Sequence, residues 1–578
     1  MRQLAAVFLL ALTALPASGA PAPARPFLDL GFEAPECSSN WQEDGRGPYR
    51  IAIDGTQALS GRQSLEIRYE TLIPWNGVWS GIVTQELPAA LFAGKRVHIG
   101  GAIRTEKVGP GRAGLWLNAL RSNGTVVRAD LAGQGPAGTK PWTRYELAVT
   151  IPPDAEEISF GGNLAGVGVA WFDDFTIEID GRPWTETVPA MPPPTQQAVS
   201  WLRGHALPFS TVEAENGFAD LQPLKKVIGD AHIVSLGEQT HGTREFFQMK
   251  HRLLEFLASE MGFTLFSIEA NMPEAYRLNE YVLTGQGNPR DLLKGMYFWT
   301  WNTQEVLDMI EWMRRFNQSG KGRVQFTGFD MQYVVVSNRV VRDFLSLADP
   351  GFSLEASPLL QRMENAFFQR RATAEDIAAA REVFGHLSSR RGEYLARYSR
   401  EKVDWAIQNA RIGVQNMELW AGGLRDESMA ENVDWILEQN PGARIVLWAH
   451  NGHVSRSPGA MGSYLGARHG KDMVVLGFAF GEGRYNAVRD AFGVIEWDAL
   501  PPPANSVESF LASPGIPRFI LDLRRVPAGG AGAWLRKPKQ FRAIGALVAR
   551  CGMYPHVVTN YFDGLIWIDR TTPSVLLP

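Results

Sequence analysis

Glu238 and His241 share one turn, Gly237-Glu238-Gln239-Thr240-His241-Gly242, directly after the apolar run Ile233-Val234-Ser235-Leu236. A second apolar run, 263–268, stops on Glu269. A third ends in Gly328-Phe329-Asp330, and a fourth leads through Trp448-Ala449 into His450-Asn451-Gly452-His453. A carboxylate beside an imidazole raises its basicity and fixes its tautomer. A histidine held that way can take a proton from water near neutral pH. A second histidine, Lys250 or Arg244 can then stabilise an oxyanion or protonate a leaving oxygen. This inventory suits hydrolysis by direct attack of water. No GxSxG elbow or HExxH motif occurs, and the two cysteines lack the context of a thiol nucleophile. His450 and His453, three apart and near strand-end carboxylates, keep a metal-dependent variant open, with the Glu and His residues as ligands. Arg425-Asp426 belongs either to a helix surface or to the site.

These residues lie more than 200 positions apart, so the fold must gather them. Parallel strands place their C-terminal ends on one sheet edge, where a crevice can collect groups from several strands. The spacing from Glu238 to Glu269 suits one strand–helix–strand unit. A helix is predicted over 243–261, with Phe246, Met249, Leu253 and Phe256 on one face. Further strands are predicted at 324–329, 445–449, 473–478 and 519–523, with a long helical region at about 358–438. The alternation implies an α/β domain over 196–578, with a mostly parallel sheet and a long helical insertion. Trp299, Trp301 and Trp312 are expected to be core, with one of them available to line an apolar cleft.

The first third reads differently. Leu65, Ile67 and Tyr69 alternate with Glu66 and Arg68, and Phe175, Ile177 and Ile179 with Thr176 and Glu178, the period of half-buried strands. Further strands are expected at 97–103, 115–120 and 158–161, giving an all-β sandwich over 27–185. Trp75, Trp79 and Trp116 are either core or sugar-stacking residues. Gly133, Gly135 and Gly138 form a GxGxxG that contains Pro136 and leads into no helix, so it is no dinucleotide loop. A Pro-rich linker follows at 186–195. Ahead of the sandwich, Arg2, the apolar segment 4–15 and Ser18-Gly19-Ala20 form an export signal over 1–20. The expected location is secreted or periplasmic, with no membrane span after cleavage. A net charge of -4 without basic runs argues against a nucleic-acid partner. Cys37 and Cys551 either pair or remain free thiols.

From about Trp201 onward the chain resembles the erythromycin esterase family. The resemblance rests on His205-Ala206, the stretch from Gly237 to Phe246, Gly262-Phe263 leading to Glu269, Gly328-Phe329-Asp330, Arg425-Asp426 with Met429-Ala430-Glu431-Asn432, and Ala449-His450-Asn451-Gly452-His453-Val454. It implies hydrolysis of macrolide lactones, the chemistry of antibiotic resistance. It also implies His241 as general base, Glu238 and Glu269 as its acidic partners, and His450 in the site. Asp330, Arg425 and His453 are expected as support. Lys250 stands where the family's macrolide esterases carry Arg. An export signal and a leading sandwich are departures from those esterases, which bears on the substrate more than on the chemistry. Leu28-Asp29-Leu30-Gly31-Phe32-Glu33 and Trp171-Phe172-Asp173-Asp174-Phe175 resemble galactose-binding-like modules of carbohydrate-active enzymes, which offers a glycan as a partner. Three readings stand. The first is a secreted hydrolase of carboxylic esters or lactones, working by His-activated water without a covalent intermediate or organic cofactor. The second is a hydrolase that uses a divalent metal. The third is a non-enzymatic extracellular glycan-binding protein with a relict site.

Overall fold

The computed structural model describes residues 28–34, 41–45, 49–70, 75, 80–89, 92–121, 126–131, 133–184, 194–489, 493–504, 506–549 and 552–578. The export segment, Trp79, both cysteines and all of the linker but its last two residues lie outside these.

Residues up to 184 build an all-β domain, a nine-stranded antiparallel sheet around its own apolar core. Its central strand, Ala155–Ile179, pairs on one side with Ser80–Pro88 and Ser64–Tyr69, and also with Arg96–Arg121. The strands expected at 97–103 and 115–120 are one strand of 26 residues. Gly109-Pro110-Gly111 does not end it, because bulges between Gly100 and Arg112 absorb the bend while pairing resumes on either side. Leu65, Ile67, Phe175 and Ile177 point inward as their alternation requires. The glycine motif at 133–138 runs into strand Gly138–Thr150, not into a helix.

The second domain is built on a sheet in the order Leu207–Pro208, Arg518–Asp522, Gly564–Thr571, Met473–Arg489, Ile233–Leu236, Ile445–Trp448, Leu265–Asn271, Gln325–Asp330. From Gly564–Thr571 to Gln325–Asp330 every neighbouring pair is parallel. Arg518–Asp522 runs antiparallel between Gly564–Thr571 and the short edge strand Leu207–Pro208, and Gly493–Ala499 returns antiparallel along the far half of Met473–Arg489. Alternate side chains enter separate cores on the two faces. Val234, Leu236, Val446 and Trp448 pack on one face, and Ile233, Ile445 and Leu447 on the other. A sheet covered on both faces is why these strands read as continuous apolar runs.

The helical insertion begins earlier than expected, at Val335–Ala348, and Pro358 lies inside helix Pro350–Gln369. That helix starts instead where Asp349 caps the Phe352 N–H (3.3 Å). The insertion has its own core, including Val341, Leu345, Met363, Val383, Val403 and Val414. Its last helix, Arg425–Gln439, returns to the sheet through Met429, Val433 and Ile436. Asn432 donates to the Phe329 carbonyl (2.9 Å) and accepts from Gln408 (2.8 Å), which fixes this helix with its first residue, Arg425, at the strand ends. The domains touch where Arg489 donates to Glu70 Oε2 (3.0 Å) and the Tyr49 carbonyl (3.4 Å). Among the described residues no helix is long and apolar enough to cross a membrane.

Candidate active site

The C-terminal edge of the parallel strands opens on a cavity of about 1560 Å³, whose lining includes His241, Glu269, Trp301, Arg425, His450 and His453. Glu238 lies directly behind it. Strand Ile233–Leu236 ends at Gly237, where an added Cβ would sit 2.0 Å from Asn451 Oδ1, so the turn can pass only as glycine. The turn then delivers Glu238 and His241 to one spot, with Nδ1 of His241 2.6 Å from Glu238 Oε1. Ionised Glu238 only accepts, so His241 carries its proton on Nδ1 and presents Nε2 as a base. His241 lines the cavity, and among the described residues no group bonds Nε2.

The other Glu238 oxygen accepts from Lys250 Nζ and from Trp448 Nε1 (2.8 Å). Glu238 and Lys250 are fully buried, and the ammonium lies 4.3 Å from the Trp448 ring centre. Burial lowers the Lys250 pKa to about 8 even with Glu238 beside it. Lys250 therefore braces the carboxylate from behind and does not reach the cavity. Arg244 is not brought in at all. It is half-exposed and faces Glu305 at 3.5 Å. Helical phase separates the two: Lys250 lies four residues after Phe246 and three before Leu253, on the buried face, while Arg244 falls off it.

Glu269 anchors a second group. Its Oε1 accepts from Arg425 Nη2 (2.8 Å) and lies 3.4 Å from His453 Nε2, and its Oε2 accepts the His450 backbone N–H (3.0 Å). Burial alone would raise this carboxyl, but His453, Arg425 and His241 outweigh it and hold the group well below the carboxylate range. Arg425 also grips Asp330 through Nε (3.2 Å) and Nη2 (2.7 Å). His453 rests on Asp426 (2.8 Å). Burial lowers its pKa, but Asp426 and Glu269 more than reverse that and raise it. The expectation that both acids orient His241 thus divides: Glu238 bonds it, while Glu269 acts through charge.

His450 is fixed as a neutral ring. Its Nδ1 accepts the Gly452 N–H (3.1 Å), so the proton sits on Nε2, 3.3 Å from the Gln239 carbonyl. Burial, then His241 and His453, depress its pKa to about 3. Its ring centre lies 5.3 Å from that of His241, which places an N–H donor beside the base. Trp301 packs edge-on against His241 at 6.1 Å and donates to the Glu269 carbonyl (3.0 Å). Trp299 also lines the cavity, whereas Trp312 stacks on Phe316 in the core.

Sequence reasoning misses the backing of the His241 turn. Gln239 donates to buried Glu508 (2.7 Å), which also takes the Arg542 N–H (2.7 Å). That bracket holds the 543–545 segment, whose Gly545 carbonyl accepts the His241 N–H (3.1 Å). It also misses Trp448 as a donor to Glu238. Its tryptophan at a strand end was the available signal. Among the described residues no three His, Cys, Asp or Glu side chains converge with metal-binding geometry. The oxygens of Glu238 and Glu269 already face Lys250, Arg425 and N–H donors, so this donor set does not suit a cation.

The fold and site define an α/β protein whose working groups lie at the carboxyl edge of a parallel sheet, centred on a histidine–carboxylate pair. Residues 258–571 match the erythromycin esterase family model, and the chain belongs to that family. The hydrolase-named protein YbfO of Bacillus subtilis (strain 168) is 24% identical over 427 residues, covering 65% of this chain and 92% of its own length. Erythromycin esterase type II of Escherichia coli is 24% identical over 430 residues, covering 65% and 98%. A solved erythromycin esterase mutant, EreC in its open conformation, shares the fold at a TM-score of 0.50 and 16% identity, over 61% of this chain and 94% of its own.

Proposed function

We propose that this protein is an exported hydrolase that cleaves carboxylic esters or lactones by direct attack of water, with His241 as general base. Water in the cavity gives a proton to His241 Nε2, and the hydroxide adds to the carbonyl carbon. The imidazolium is stabilised through Nδ1–H on ionised Glu238. The oxyanion takes the Nε2–H of His450, which turns from its long 3.3 Å contact with the Gln239 carbonyl to do so. The intermediate collapses as His241 returns its proton to the departing alkoxide, giving acid and alcohol with no covalent enzyme intermediate. The observation that carries this reading is the 2.6 Å contact of His241 Nδ1 with Glu238, with the opposite nitrogen facing the cavity. Family membership and the hydrolase names of two relatives support it.

The test is His241→Ala, assayed on a panel of lactones and carboxylic esters. Turnover is expected to fall by about 10² to 10⁴, the range of a general base, with an unchanged circular dichroism spectrum. Turnover within a few-fold of the parent protein would sink the assignment. Parallel assays after chelation address the metal-dependent alternative, which requires loss of activity.

A further inference from the structure

The cavity that contains His241 is not closed by the α/β domain alone. Gln42, Thr84, Trp116, Asn118, Arg128 and Asn163 of the all-β domain also line it. Cross-strand register puts these on one surface. Gln42 opposes Thr84, Thr84 opposes Gly161, and Gly161 opposes Trp116, a single row across four strands. Asn163 lies two residues from Gly161, and Asn118 two from Trp116, so each shares the face of its neighbour. Asn118 opposes Arg128 in the next strand. At Gly161 an added Cβ would sit 1.8 Å from the Val83 carbonyl oxygen, so the row passes this point only as glycine.

The chemistry of this wall is distinctive. Three amides, a hydroxyl and a guanidinium surround an indole, with apolar surface between them. Flat amides engage neighbouring hydroxyls in pairs, donating to one oxygen and accepting from another, while a guanidinium donates to both. Trp116 Nε1 and Asn118 Oδ1 are buried with no hydrogen-bond partner among the described residues. A buried donor and a buried acceptor without protein partners suit ligand hydroxyls, each of which accepts and donates. The cavity volume of about 1560 Å³ also exceeds what a simple acyl group needs.

Resting on the hydrolase reading above, we propose that the substrate is an ester borne on a saccharide. Its sugar units lie against the Gln42–Thr84–Trp116 row, and its ester bond reaches His241. The all-β domain is then one wall of the active site, which selects the alcohol side of the ester.

The experiment uses the full chain with two substrates, partially acetylated oligosaccharides of several sugar units and 4-nitrophenyl acetate. Asn118→Ala and Asn163→Ala are combined, and kcat/KM is measured for both esters. Loss of two neutral hydrogen bonds corresponds to about tenfold, so the ratio of oligosaccharide-ester to 4-nitrophenyl-acetate kcat/KM should fall tenfold or more. Partial misfolding lowers both terms and cancels in the ratio. A smaller fall overturns the proposal. If the parent protein cleaves neither ester, the hydrolase reading fails and the substrate proposal fails with it. Calorimetric titration with the unacetylated oligosaccharide then judges the wall alone, and binding weakened by the double variant would keep its saccharide chemistry.

Discussion

Replacing Glu238 with Gln isolates the central claim about His241. Glu238 Oε1 receives His241 Nδ1, while Oε2 receives both Lys250 and Trp448. An amide has one accepting end. Two donors, one a buried ammonium, meet on the Oε2 side, so the amide oxygen should turn there and its NH₂ should face His241. Nδ1 must then accept, the proton moves to Nε2, and the base is lost at its working atom. An inverted tautomer of this kind costs about 10⁴ in kcat, equivalent to about 5 kcal/mol of barrier. The same change leaves Lys250 buried without its counter-charge, a penalty of about 3–5 kcal/mol in folding stability. Burial already depresses this lysine to about 8. Urea denaturation and ester hydrolysis should both show the loss in Glu238→Gln. Glu238→Gln combined with Lys250→Met should recover most of the stability and none of the activity. Recovery of turnover along with stability would refute the tautomer argument, because Glu238 would then serve only to neutralise Lys250. Activity of Glu238→Gln within tenfold of the parent would refute it as well.

Other outcomes follow from the same geometry. Arg425→Met strands Glu269 and Asp330 as buried carboxylates and should cost about 3–5 kcal/mol at pH 7 by urea denaturation. Glu269 is held below its unfolded pKa, so its stabilisation exists above about pH 4.5 and is lost as pH falls. The penalty should shrink under acid, and one that grows would contradict the pairing. Glu274 is buried with both side-chain oxygens unpartnered, and burial raises its pKa from 4.5 to about 8. Its folded form holds a proton that the unfolded form releases, so stability declines from about pH 4.5 to 8. Glu274→Gln should flatten that decline by several kcal/mol at about 1.4 per unit, read from melts across that range, and an unchanged slope would exclude Glu274 as its source. Export predicts that the mature protein begins at Pro21, which N-terminal sequencing of protein from the exported fraction checks. A chain still starting at Met1 would refute cleavage there.

Much of the site is local in origin and so readable in sequence. An apolar run of about one strand length, interrupted by an acid or histidine, marks the point where a strand leaves the sheet. Glu238, Glu269, Asp330 and His450 all show that signature, and the structure gathers them at one edge. The division of labour among basic residues was less open to reading. Periodicity that buries Phe246 and Leu253 already carries Lys250 inward and leaves Arg244 out, but residue type alone made them equal candidates. The antiparallel strand Arg518–Asp522 and the last strand, Gly564–Thr571, depend on pairing with distant partners. Nothing within a strand of five or eight residues specifies that partner.

By itself the amino-acid sequence determined which residues could do chemistry, because ionisable side chains at the ends of apolar runs are a property of neighbours along the chain. Tertiary structure alone decided their roles. Glu269 became the partner of Arg425, and Glu238 of Lys250 and Trp448 as well as of His241, through packing between distant segments. The sandwich face came to share the cavity of His241 for the same reason: contacts between residues more than a hundred positions apart arise from packing, which no local pattern encodes.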